Sequence, residues 1–530
     1  MKEYEKKNRR CFAGAFVSVL ISTVFAVVLQ FFKGDVLDYA VTGEVRETIR
    51  YACLLIGCIL CEIFCYFCCK RFSARFVVGC TRSLKHDIFE SVLNRGYVAY
   101  KERPQGAYIA KYTNEADLIK ERRFQMLPMF WEILFKIIFV SAALFVLDWR
   151  IAIITIALLT TPLYIPKVIE KRLQNAQSAY IQAVEDSLTK VNDWFSGFEI
   201  IKNYSIERKI MERFQSVNDK SMEKLLRDMQ LGAVAQLITT LISYLSYFIV
   251  LVCATWLVLR GDFSAGDFFV AIGMIDQLSY PLISLAGITQ QLLAIKPACA
   301  AMEEFLRAPE AAPASELKML QSNIRFQDVS FSYDAQRKVL DGFHLTVEKG
   351  KRYLLKGPSG CGKTTAVNLL LRYYDVTSGR IEIDGDPIET VGSPYGCMTV
   401  VRQEAVLFHD TLRNNLTMYQ DIPENRLVKV LKSVGLDRLA NAQALNSIVT
   451  EHGANFSGGE KKRICLARAL LRNADVLILD EPLANLDAET AQRIEDLLLS
   501  IQNKTVLVVS HQFTETKIRC FDKVVDFAAS

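Results

Sequence analysis

Four residues at one spacing, Gly357, Gly362, Lys363 and Thr364, define the clearest chemistry in this chain. They lie in KRYLLKGPSGCGKTT, residues 351–365, where an apolar strand (Tyr353 to Leu355) feeds a glycine-rich turn and a helix is predicted from about Lys363. This is G-x-x-x-x-G-K-[ST] in the strand, loop and helix context that gives the motif meaning. Glycines let successive backbone N–H groups curl around a phosphate chain, and the helix N-terminus adds partial positive charge. Gly357, Pro358, Ser359, Gly360, Cys361, Gly362 and Thr365 build the expected cradle. Within it, Lys363 would hold the outer phosphates and the Thr364 hydroxyl would sit on Mg²⁺.

Further along, the apolar strand Val476 to Leu479 ends in two carboxylates, Asp480 and Glu481. That order puts the first where it can hold Mg²⁺ through water and the second beside the terminal phosphate as base for an attacking water. A second strand, Thr505 to Val509, ends in Ser510 and His511, and a histidine at that edge of a parallel sheet predicts a γ-phosphate contact. Residues 455–468, NFSGGEKKRICLAR, place Ser457, Gly458 and Gly459 at the start of an amphipathic helix, a second anion-binding end.

The elements that must position these residues divide the chain in two. At 530 residues it is too long for one ordinary domain, and its 51% hydrophobic content is concentrated before residue 300. Apolar runs of spanning length occur at Cys11 to Phe32, Tyr51 to Cys69, Met126 to Leu147, Ile151 to about Ile165, Leu231 to Leu259 and Phe268 to about Ile295. Prolines 162, 166 and 281 blur the ends of the fourth and sixth. The first run is too long, and lacks the cleavage pattern, for a signal peptide. Basic residues before it and across Arg71 to Arg123 place those segments in the cytosol. Two long polar segments, Lys70 to Phe124 and Lys167 to Gln230, predict helices that continue into water and turn back at Arg95 to Gly106 and Asp193 to Tyr204. RAPEAAPAS, residues 307–315, reads as a linker. The net charge of +5, with no basic run interleaved with aromatics, argues against nucleic acid. Fourteen cysteines spread over apolar runs and the nucleotide half do not form a disulfide framework.

The signature-like SGG, placed between the phosphate loop and the Asp480 strand, resembles that of ATP-binding cassette (ABC) proteins. With six preceding spans, the whole chain resembles an ABC half-transporter of the exporter architecture. The resemblance implies a multidomain fold: an all-α six-helix transmembrane domain (residues 1–306), a linker (307–322) and an α/β P-loop ATP-binding domain (323–530). It also implies that Tyr333 stacks on adenine, that Gln403 is the Q-loop glutamine at the metal, that Asn485 to Asp487 form the D-loop and that His511 is the switch histidine. ATP and Mg²⁺ are the implied cofactors. In this family each ATP is sandwiched between the phosphate loop of one domain and the signature of another, so the implied partner is a second half-transporter, identical or related. The setting expected is a lipid bilayer, specifically a bacterial cytoplasmic membrane, with the ATP-binding domain in the cytosol. One departure stands out: Phe456 and Glu460 flank the SGG where the family usually has Leu and Gln. Glu460 brings a carboxylate near an anion, an arrangement expected to weaken the site unless a neighbour such as Lys461 or Lys462 neutralises it.

For the cargo, a small molecule or peptide, charges within spans are the clue. Glu62 and Lys136 come out at matching depth, roughly 16 to 18 Å from the outer helix ends at 1.5 Å per residue, and could pair; Glu132, one turn from Lys136, is an equally good partner. Asp276 has no evident basic partner, and with Glu62 it suggests an acidic cavity for a cationic amphiphile, the alternative being structural pairs or a hydrated vestibule. Cys58, Cys61, Cys65 and Cys68 form a helical stripe that reads as close helix packing rather than a ligand site. ATP-driven export is the leading reading, with siderophore-like uptake, or an ATP-gated channel or signalling subunit, as alternatives.

Overall fold

The computed structural model describes residues 1–160, 165–307, 319–333, 338–358, 360–391, 393–484 and 486–527. The linker stretch at 308–318, Ser359 of the phosphate loop and Asn485 of the D-loop lie outside the described residues. Two compact units emerge: residues 1–93 with 104–308, and residues 94–103 with 309–530.

The first unit is helical. A short α1 (Lys2–Lys7) precedes α2 (Arg9–Thr42) and α3 (Val45–Leu93). At 49 residues α3 is roughly 74 Å long at 1.5 Å per residue, more than twice the ~30 Å of a bilayer's hydrocarbon core. Its polar half therefore continues into water, where Asn94 to Gly96 end it and α4 (Tyr97–Lys101) forms the turn. Pro104, which lacks an N–H, caps α5 (Gln105–Leu147), whose cytosolic part contains two π-helical stretches, Lys111–Glu115 and Lys120–Phe124. Next come α6 (Trp149–Thr160) and α7 (Ile165–Ser196), the turn helix α8 (Phe198–Asn203), and α9 (Glu207–Leu259). In α10 (Ala265–Ala294), the Ser264 hydroxyl accepts from the Asp267 N–H, and the Asp267 carboxylate accepts in return from the Ser264 N–H. The short α11 (Lys296–Leu306) follows. Among the described residues five helices are long and apolar enough to span a membrane, and α6 adds a shorter apolar one. The predicted fourth span runs over residues 161–164, outside the described residues.

The second unit contains two sheets. Strands β1 (Asn323–Ser332) and β2 (Lys338–Glu348), with β4 (Ser378–Ile383) and β5 (Asp386–Pro387), form an antiparallel sheet in the order β2-β1-β4-β5. Strands β3 (Arg352–Lys356), β6 (Met398–Val401), β7 (Val476–Asp480), β8 (Thr505–Val509) and β9 (Lys523–Asp526) form a parallel sheet in the order β6-β7-β8-β3-β9. Strands β7 and β8 are buried along their whole length, as expected of a parallel sheet covered on both faces. One core lies between the two sheets and another packs the parallel sheet against helices. All fourteen cysteines are free thiols.

Candidate ATP site

The parallel sheet brings the predicted residues to one edge. Leu355 of β3 and Asp480 of β7 are both in register with Val509 of the intervening β8. The residues that follow, Gly357, Glu481 and His511, therefore leave the same C-terminal edge, where ligands bind in such sheets. The helix α12 (Lys363–Leu370) starts directly from the glycine turn. Its N-cap, Gly362, has φ +99°, and a Cβ there would lie 2.8 Å from Leu340 Cδ2 and 3.0 Å from the Val339 carbonyl oxygen, so only glycine fits. The buried Lys363 ammonium donates to the carbonyls of Gly357 (2.7 Å) and Pro358 (2.8 Å), folding back across the loop it would share with phosphate.

Asp480 is buried, with Thr364 Oγ1 at 3.5 Å and Arg402 Nη1 at 3.8 Å. Burial pushes its carboxyl above the usual carboxylate range, against the pull of Arg402 and Thr364. Glu481 adopts φ +52°, a left-handed conformation that a non-glycine residue holds only under constraint. Its Oε1 lies 3.0 Å from His511 Nδ1, while Oε2 is buried with no hydrogen-bond partner. Tyr333 is half exposed, and its hydroxyl lies 3.1 Å from Thr365 Oγ1. Tyr333, Gly360, Gly362, Lys363, Thr364, Thr365, Gln403, Asp480, Glu481 and His511 all line one cavity of about 530 Å³.

Ser457, Gly458 and Gly459 do not line that cavity. They start α15 (Gly458–Leu471), which follows α13 (Leu412–Thr417) and α14 (Glu424–Ser433). The Ser457 hydroxyl accepts from the Glu460 N–H (3.2 Å), and Glu460 Oε2 accepts from the Ser457 N–H (2.9 Å). This capping box fixes the start of the helix. Arg438 pairs with the other Glu460 oxygen, Oε1. Burial raises the Glu460 carboxyl, but the Ser457 hydrogen bonds and Arg438 outweigh it and hold it below the usual range. The neutralising partner is thus Arg438, 22 positions away, and not Lys461 or Lys462. Lys462 turns inward instead and donates to the carbonyls of Glu481 (2.9 Å) and Ala484 (3.0 Å). Neither Arg438 nor this role of Lys462 was visible in the sequence, since neither obeys a helical or strand period.

A third feature also escaped sequence reasoning. The α4 segment, residues 94–103, groups with the second unit. Tyr97 stacks on Tyr373 at 4.0 Å and 7°, and meets Tyr374 edge-on at 5.9 Å. Tyr374 in turn meets Tyr333 edge-on at 5.1 Å. An aromatic chain therefore joins the first cytosolic turn to the expected adenine platform.

In the membrane half, Glu132 accepts from Lys70 (2.8 Å) and lies 3.7 Å from Lys136. Lys136 therefore pairs with the residue one turn away rather than with Glu62, as the shorter reach on a single helix favours. Glu62 is half-buried and Asp276 exposed, and no ion pair forms at either among the described residues. The cysteine stripe does not face one partner: Cys58 is buried and Cys61 exposed.

A family model described as the ABC transporter transmembrane region matches residues 11–282, half of the chain, and a second, ABC transporter, matches residues 340–484. The chain belongs to the ABC transporter family. An ATP-dependent lipid A-core flippase of Syntrophus aciditrophicus (strain SB) is 26% identical over 97% of this transporter and 87% of its own length. A putative multidrug export ATP-binding/permease protein, YgaD of Bacillus subtilis (strain 168), is 26% identical over 99% and 94%. The solved structure of a bacterial Atm1-family ABC exporter with ATP bound shares the fold, with a TM-score of 0.78 and 22% identity over 98% of this chain and 94% of that one. One transmembrane region and one ATP-binding region in a single chain make the protein a half-transporter of the exporter architecture, and half-transporters of this kind act as dimers. It is an ATPase coupled to transport and an integral, multi-pass membrane protein, as the bacterial inner membrane expected from the sequence requires. The uptake alternative finds no support among these relatives.

Proposed function

We propose that two copies, or one copy and a related half, bind ATP across a shared seam and use it to move an amphipathic cation out of the cytosol or between leaflets. The observation that carries this reading is the division of the site. Phosphate loop, carboxylates and histidine share one cavity, and the signature serine opens a helix outside it. One chain then supplies two halves of different sites.

Within a site, Gly357 to Gly362 and Lys363 grip the phosphates and Tyr333 supports the base. Thr364, Gln403 and Asp480 offer a hydroxyl, an amide and a buried carboxylate, the hard oxygen ligands that suit Mg²⁺. When bound, that ion would neutralise charge on the phosphate oxygens. Glu481 takes the proton of the attacking water on Oε2, the oxygen without a partner, while His511 orients the carboxylate through Oε1 and faces the γ-phosphate. Ser457 completes the partner's site. Its hydroxyl oxygen is occupied by the Glu460 N–H, which leaves its own proton free for phosphate.

Closure reaches the membrane through the two cytosolic turns. Tyr97 rides on Tyr373 in the ATPase unit, which supports direct coupling of α4 to the nucleotide. Around α8, Phe195, Phe198, Ile200 and Tyr204 are each at least 59% exposed, a surface suited to the other half of the dimer. For the cargo, the unpaired Asp276 and Glu62 support a positive charge. Glu481→Gln tests the ATPase assignment: turnover should fall by about 10² or more with ATP binding intact. Retained turnover would remove Glu481 as the base.

A further inference from the structure

Helices α7 and α9, joined by the short α8 turn, pack side by side and leave a groove of about 670 Å³ between them. Among the described residues its polar lining is Arg172 and Asn175 from α7 with Lys224, Arg227 and Gln230 from α9. The spacing explains the convergence: Lys224, Arg227 and Leu231 lie three and four positions apart, on one face of α9. Among the described residues no carboxylate lines the groove; Glu223 and Asp228 flank it on α9 but stand outside it. Among the described residues, neither Arg172, Lys224 nor Arg227 has an ion-pair or hydrogen-bond partner, whereas Arg208, further along α9, pairs with Glu212 one turn away. Three cations gathered in one concavity repel each other and are stabilised by an anion placed between them.

Position identifies the anion. Residues 231–259 of α9 carry no charged side chain, so Lys224 and Arg227 stand in the last turns before the helix enters hydrocarbon. The groove continues past them onto Leu231 and Val234. The uncharged stretch is about 43 Å long at 1.5 Å per residue, close to the ~40–45 Å of a bilayer with its headgroups, so the basic end lies at the cytosolic headgroup boundary and the apolar end leads from it toward hydrocarbon. Arginine forks match phosphate oxygens, and basic pockets between spanning helices on the cytosolic side suit anionic lipid headgroups.

We propose that this groove is a binding site for the phosphate headgroup of an anionic lipid drawn from the cytosolic leaflet. It is distinct from the ATP site and from the acidic positions Asp276 and Glu62. Arg172, Lys224 and Arg227 hold the phosphate, Asn175 and Gln230 donate to its remaining oxygens or to a glycerol hydroxyl, and the acyl chain lies on Leu231 and Val234. The inference does not depend on which cargo is moved.

The full-length transporter is reconstituted in nanodiscs mixing phosphatidylcholine with phosphatidylglycerol, released gently, and its retained lipids counted by native mass spectrometry. Wild type should keep phosphatidylglycerol in preference to phosphatidylcholine. The triple variant Arg172→Gln, Lys224→Gln, Arg227→Gln should lose that preference, by about fivefold for each cation removed. A control triple on the same helix outside the groove, Arg208→Gln, Lys209→Gln, Arg213→Gln, should keep it. ATP turnover in detergent within about twofold of wild type establishes that each variant is folded. If either variant failed that check, single Gln substitutions at the groove would replace it, each expected to shift the preference by about fivefold. Equal retention by wild type and the groove triple would overturn the proposal, as would equal loss in both triples. Displacement of the lipid by inorganic phosphate alone would assign the site to a soluble anion and overturn the lipid reading.

Discussion

Arg438 offers the sharpest test of how this chain tolerates an acidic signature. The Glu460 carboxylate sits one turn into the helix whose N-cap, Ser457, is expected to touch the partner's ATP. At an effective dielectric of ~20, like charges about 7 Å apart repel by ~2 kcal/mol, enough to cripple the site if nothing offset it. Arg438 offsets it, but its side chain is 65% exposed against 15% for Glu460, so solvent screens the pair and the coupling should be ~1 kcal/mol. Arg438→Gln alone should therefore lower kcat/KM for ATP by about fivefold. Glu460→Gln alone removes the repulsion and the pairing together while Gln still accepts the Ser457 N–H, so turnover should rise by no more than about twofold. The double variant Arg438→Gln, Glu460→Gln should recover wild-type turnover, because the charge that needed neutralising is gone. The assay is steady-state ATP hydrolysis by reconstituted transporter at low and high salt, and the Arg438→Gln defect should shrink as salt rises. Additive losses in the double variant, or a defect indifferent to salt, would refute the electrostatic argument.

Two further predictions follow from the charges that remain. Asp480 must be ionised to hold a metal, and burial raises its carboxyl, so Mg²⁺-dependent ATP affinity should weaken as pH falls through the region just above the usual carboxylate value. The ATP titration itself cancels in comparison with Asp480→Asn, which should show the weaker affinity at every pH and lack the extra slope; a slope shared by both proteins would exclude Asp480 as its source. Asp276→Asn should abolish stimulation of ATPase activity by amphipathic cations while basal turnover continues, and unchanged stimulation would remove Asp276 from the cargo path.

Much of this arrangement was legible in the sequence because it rests on local rules. Gly362 must be glycine for its turn, Lys363 opens a helix, and Asp480 ends a wholly apolar strand, so each announces its own position. The long cytosolic helices were equally readable from unbroken periodicity, and their turns from Gly96, Pro104 and Gly197. What could not be read were contacts that depend on tertiary placement. The Arg438–Glu460 pair spans a loop of no fixed period. Lys462 points inward to donate to the carbonyls of Glu481 and Ala484, a contact that no sequence pattern records. Lys136 pairs with Glu132 on its own helix, 3.7 Å away, a choice between two carboxylates that the sequence leaves open. The Tyr97, Tyr374 and Tyr333 contacts join residues from three separate stretches of chain, which individually read as ordinary aromatics.

The claim on which the rest depends is that phosphate loop and signature of one chain serve different nucleotides, and mixed dimers test it most directly. Lys363→Ala and Ser457→Ala chains, each carrying a different tag, are co-reconstituted and the doubly tagged dimers isolated. Their nucleotide is then trapped with vanadate and counted. The account predicts almost none trapped in either pure variant and one intact site per mixed dimer, formed by Lys363 of one chain and Ser457 of the other. Mixed dimers that trap no more nucleotide than the pure variants would contradict it.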